Sequence, residues 1–115
     1  MKSTEDFFIE LYNNFNAREI EKVISQMADN VKWANGMEGG FVYGHEGVRE
    51  YWLRQFKMIR SQVTPLKIST AGNTVAINVR QIVHDMEGNL LMDEPVQHIF
   101  TLEDGKISEF QIGGK

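Results

Sequence analysis

The sequence predicts one α+β domain in which three N-terminal helices cover an antiparallel sheet, and two observations carry the prediction. Up to about Arg60 the apolar residues recur at helical spacing, whereas beyond Pro65 they alternate with polar ones. Three turn signals, Gly72-Asn73, Glu87-Gly88-Asn89 and Asp104-Gly105, then divide the second half into short segments. Helices first and strands afterwards argue against the alternating order of a parallel sheet. At 115 residues the chain fits a single domain with one core.

Ser3 and Thr4 can cap a first helix over 4–15, in which Phe8, Leu11, Tyr12 and Phe15 share a face and Glu5 and Asp6 sit at the positive end of the dipole. A second stripe, Ile20, Val23, Ile24 and Met27, predicts a short helix ending near Ala28-Asp29-Asn30, and the two helices form a hairpin. Val31 to Asn35 reads as a short extended piece, and Gly36-Met37-Glu38-Gly39-Gly40 as a loop at a pocket mouth. The third helix runs from about His45 to Arg60, with Val48, Tyr51, Trp52, Gln55, Phe56 and Ile59 on one face. Strands follow near 64–71, 74–86, 90–103 and 106–112. In the second of these, Val75, Ile77, Val79, Gln81 and Val83 share the core face.

Composition narrows the function. Hydrophobic residues at 42% and charged residues at 24% suit a folded globular chain. A net charge of −4 without a basic run argues against a nucleic-acid partner. No apolar stretch is long enough to span a membrane, and acids stand at the start where a signal peptide carries positive charge, so the chain is expected to be soluble and cytoplasmic. The absence of cysteine excludes disulfides, thiolate metal sites and a cysteine nucleophile. His45, His84 and His98 lack a ligand spacing, and neither a metal nor a cofactor is expected.

The ordered set Phe15-Asn16-Ala17-Arg18-Glu19, Ala28 to Trp33, Gly44 to Trp52 and Leu102 to Ile107 resembles SnoaL-like proteins. These are polyketide cyclase-like relatives of ketosteroid isomerase within the nuclear transport factor 2-like superfamily. The resemblance spans about residues 5–112 and implies a strongly bent sheet wrapping the long third helix, with a small-molecule pocket between them. It also implies a homodimer through the other sheet face, which carries Asn78, Arg80, Ile82 and His84.

Carried over residue by residue, the isomerase's proton-moving carboxylate falls at Asn35, which cannot act as a base. Its oxyanion-binding tyrosine falls at Leu11, and a one-residue offset to Tyr12 turns a helical side chain by about 100°. Its second oxyanion donor falls at Gln97, or at His98 if the Asp104-Gly105 turn is one residue shorter. His98 is preferred, because Val96, His98, Phe100 and Leu102 then share the core face. Trp33 and Asn35 also resemble the Tyr and Asn beside the nucleophilic water of limonene epoxide hydrolase, whose catalytic Arg and Asp would match Val79 and Gln81.

His98 is therefore the candidate acid or base, and Tyr12, Trp33, Asn35, Trp52 and Gln81 are the candidate ligand contacts. Two functions are open. One is an isomerase, cyclase or dehydratase acting on a hydrophobic carbonyl compound; the other is a noncatalytic domain that binds a ligand or a protein. A structural histidine, a turn-forming Asn35 and a core Trp52 are the plainer readings of the same residues.

Overall fold

A computed structural model describes residues 3–36 and 39–113. Helix α1 spans Thr4–Asn16 and starts where Ser3 Oγ accepts the Asp6 N–H at 3.1 Å. It buries Phe8, Leu11 and Tyr12. At its end the Asn16 side chain makes two bonds to the backbone of one later residue: Asn16 Nδ2 donates to Val63 O at 2.8 Å, and Val63 N donates to Asn16 Oδ1 at 2.9 Å.

Helix α2 covers only Ile20–Ile24, and the chain is already extended at Met27. Strand β1 is Met27–Ala34, so the predicted helical run to Asp29 and the short extended piece are both corrected. The cause is a competing pattern: Met27, Val31 and Trp33 also sit at odd positions of a strand, and all three are buried. Backbone pairing favours the strand, since Ile107 N donates to Gln26 O at 2.9 Å and Met27 lies opposite Ile107.

Strand β2, Phe41–Tyr43, pairs antiparallel with β1 and is too short to show a period in sequence. Met37 and Glu38 of the predicted loop lie outside the described residues. Helix α3, Gly44–Met58, buries Val48, Tyr51, Trp52 and Gln55. Ile59 and Arg60, assigned to the helix by periodicity, instead begin strand β3, Ile59–Ala71. Ile59 fits a helical stripe as well as a strand, and pairing with β4 along its whole length decides the outcome. Pro65 is accommodated because β3 is an edge strand and its register slips between Pro65 and Lys67.

Strands β4 (Thr74–Asp85), β5 (Leu90–Glu103) and β6 (Lys106–Gly113) follow the turn signals closely. The sheet order is β2-β1-β6-β5-β4-β3. The sheet is mixed, not wholly antiparallel, because β1 runs parallel to β6. Its inner face carries Val75, Ile77, Val79 and Phe100, which pack under the helices around Phe8, Val48 and Trp52. The outer face is polar, with Arg80 NH2 and Asp93 Oδ2 at 2.7 Å. Among the described residues no helix is long and apolar enough to cross a membrane.

Candidate functional site

Between the inner sheet face and the helices lies a cavity of about 400 Å³. Leu11, Tyr12 and Phe15 of α1 and Tyr51, Trp52 and Gln55 of α3 form one wall. The opposite wall comes from the sheet: Trp33, Val63, Gln81, Val96, His98 and Phe110 among others. Aromatic rings make the interior stiff. Trp33 stacks on Phe110 with centroids 4.2 Å apart and meets Trp52 edge-on at 5.3 Å. Leu91 and Ile112, both more than two-fifths exposed, also line the cavity and place its mouth at the open end of β5 and β6.

The chemistry centres on a pair joined from opposite ends of the chain. Tyr12 Oη and His98 Nδ1 are 2.7 Å apart and buried. The sheet register brings them together: His98 lies opposite Ile77 on one side and Ile112 on the other, on the face that meets α1. Phe110 packs edge-on against the imidazole, with centroids 4.8 Å apart. Burial pushes the His98 pKa down to about 4 and the Tyr12 pKa above its ordinary value, so both are neutral at physiological pH.

Proton counting then defines what the pair can offer. A neutral tyrosine and a neutral histidine hold two exchangeable protons, and one is used in the bond between them. The other remains for an acceptor in the cavity. If His98 Nδ1–H donates to Tyr12 Oη, the phenol O–H points onward and Nε2 is left as a proton acceptor. If Tyr12 donates instead, Nε2–H is the free donor. Either way one donor hydrogen of the pair is left over from the bond they share.

Three other polar side chains line the cavity. Gln81 Nε2 donates to the buried Ser61 Oγ at 3.2 Å, leaving the amide oxygen to accept. Tyr51 Oη accepts the Gly36 N–H at 3.0 Å. The side chain of Gln55, a residue only 7% exposed, makes no hydrogen bond to another described residue. No Asp, Glu, Lys or Arg is among the lining residues. Among the described residues no group of three or more His, Cys, Asp or Glu could hold a metal.

Of the residues singled out from sequence, Tyr12, Trp33, Trp52, Gln81 and His98 all line this cavity. Asn35 does not join them. It is buried at the end of β1, where its N–H donates to Gly40 O and its carbonyl accepts the Gly39 N–H, both at 2.9 Å, so its backbone closes the turn before β2. Gln97 lies opposite Asn78, in the set that faces away from the cavity. Despite the one-residue offset, Leu11 and Tyr12 both line the cavity, and Tyr12 is the one that reaches His98. His45, which the sequence places at the start of the third helix, is part-buried, and its Nε2 is 3.0 Å from Met27 O. Sequence reasoning missed Gln55 as a site residue, although an amide on an otherwise apolar helical stripe was the available signal.

Comparison with solved structures finds the same architecture. A nuclear transport factor 2-like protein of unknown function from Burkholderia pseudomallei K96243 superposes with a TM-score of 0.87 at 20% identity, covering 100% of this chain and 92% of its own. TerC, co-crystallised with polyporic acid, gives 0.83 at 23% identity, covering 94% and 88%. RV0760c from Mycobacterium tuberculosis, in complex with estradiol-17beta-hemisuccinate, gives 0.77 at 16% identity, covering 91% and 88%. No curated protein matches the sequence. The SnoaL-like domain, however, matches residues 8–110, nearly the whole chain, and the protein therefore belongs to the SnoaL-like family.

Proposed function

We propose that this protein binds a small hydrophobic carbonyl compound and polarises its carbonyl oxygen through Tyr12 and His98, in the service of an isomerisation, cyclisation or dehydration. The 2.7 Å contact between Tyr12 Oη and His98 Nδ1, set in the wall of an aromatic cavity, carries this reading. A donor held in a dry, rigid site favours an oxygen that gains negative charge as an enol or enolate forms. In the tautomer that leaves Nε2 unprotonated, His98 takes the proton released from the carbon beside the carbonyl, while Tyr12 O–H donates to the oxygen. Trp33 and Trp52 shape the walls against which the ligand lies, and Gln81 orients its polar group. That TerC and RV0760c hold small organic molecules supports a ligand in this cavity.

A simple ketone tests both halves of the proposal. Titration with 4-acetylbiphenyl, followed by tryptophan fluorescence, is expected to show saturable binding that Tyr12→Phe weakens about tenfold, the loss of one good hydrogen bond. Exchange of the ketone's methyl protons in D₂O, followed by NMR, is expected to be faster with the protein. His98→Gln should abolish that acceleration while sparing binding. A carbonyl reading without Tyr12 dependence fails outright.

The second reading is binding without chemistry, and a specific observation favours it: no carboxylate is among the lining residues, and His98 at about 4 is a weak base. Saturable binding with no proton exchange decides for it. We further propose a homodimer through the outer sheet face, where the half-buried Ile82 and Ile99 lie among Asn78, Arg80 and Gln97. Sedimentation should give twice the chain mass at micromolar concentration; a monomer there excludes the dimer.

A further inference from the structure

Building on the carbonyl-binding reading, we infer that the cavity selects an elongated, uncharged ligand with two oxygen functions, a carbonyl at the Tyr12–His98 end and a hydroxyl at the other. Register supplies the distance. Along β4, Ile77 marks the level of His98, and Gln81 stands four residues further on the same face. At about 3.3 Å per residue the two polar stations are separated by about 13 Å along the strand. Between them lies Val79 opposite Val96, which offers nothing polar.

The second station is built for recognition by amides. Gln81 lines the cavity, and its Nε2 donates to Ser61 Oγ, which orients the amide and leaves its oxygen as an acceptor. From α3, Gln55 lines the same cavity, six residues before Ser61 and nine-tenths buried, its side chain without a hydrogen bond to any described residue. No buried side-chain nitrogen or oxygen among the described residues lacks a partner, so the unbonded Gln55 amide is open to the cavity and free to meet a ligand there. A ligand hydroxyl satisfies both amides, because it donates to the Gln81 oxygen and accepts from the Gln55 nitrogen. A carboxylate at that end would meet no positive charge among the lining residues, and Glu94 stands opposite Gln81 in the register.

Three matched biphenyls test the inference: 4-acetylbiphenyl, 4-acetyl-4'-hydroxybiphenyl and 4'-acetylbiphenyl-4-carboxylate. Wild-type protein is expected to bind the hydroxy ketone about tenfold more tightly than the parent ketone, and the carboxylate at least tenfold more weakly. In Gln81→Leu the hydroxy ketone should bind no more tightly than the parent ketone. Gln55→Leu should reduce the gain from the hydroxyl. Equal affinity for the two neutral ketones, or a hydroxyl gain that survives both substitutions, overturns the second station. If the parent ketone fails to bind, or binds with no dependence on Tyr12, the carbonyl reading itself has failed, and the two failures are thus told apart.

Discussion

Trp52→Ala is expected to cost about 3–5 kcal/mol, a large share of the stability of a domain this size. The indole is 2% exposed and stands where three aromatic walls meet, edge-on to Trp33 at 5.3 Å and to Phe15 at 5.4 Å. Phe15 in turn meets Phe56 at 5.9 Å. Truncation removes the ring that joins α1, α3 and β1, and the remaining rings are too rigid to close the gap. Each kcal/mol lost lowers the melting temperature by several degrees, so a fall of roughly 15 °C is expected. Leu53→Ala is the control on the same helix, since Leu53 is 48% exposed and its loss should be nearly neutral. Equal shifts for the two substitutions would show that Trp52 is not a keystone of the core.

The second large effect is a dependence of stability on pH that originates in the cavity wall. Burial holds the native His98 pKa near 4, against about 6.5 in the unfolded chain. Above pH 6.5 neither state is protonated at this ring, and the native fold has its full stability. As the pH falls from 6.5 toward 4, the unfolded chain takes up a proton that the native protein refuses, and about 3 kcal/mol is lost. Below 4 the native ring also protonates and the slope from this group ends. His98→Gln keeps a partner for the Tyr12 hydroxyl but removes the titration. Denaturant unfolding at pH 7 and pH 4.5 should therefore show a steeper acid loss in the wild type than in the variant. Parallel losses would mean that His98 reaches solvent freely.

The strand half of the fold was the more legible. Alternation from Val75 to Val83 and the glycine turns fixed β4, β5 and β6 almost to the residue, and with them the face of His98. The helix-to-strand switches were not legible. Met27 and Ile59 satisfy a helical stripe and a strand equally, and their pairings with Ile107 and Asp85 decide between the two. The parallel pairing of β1 with β6 joins segments far apart in sequence, and nothing local announces it. Within the site, five of the six residues singled out line the cavity; Asn35 shows how a turn before glycines can look like a ligand position. Gln55 was passed over because it sits inside a stripe read as packing.

The Asn16 side chain behaves as a borrowed strand residue, taking both backbone bonds that the edge of β3 offers at Val63. Asn16 lies one helical turn beyond Tyr12, so this clasp sets how far α1 is slid along its own axis. A slip of one residue displaces the helix by about 1.5 Å, more than the Tyr12–His98 bond could survive. The cavity's donor is thus positioned from outside the cavity. Wall residues that are neither in this clasp nor in the aromatic core, such as the exposed Leu91 at the mouth, can change toward new ligands and leave the phenol where it is.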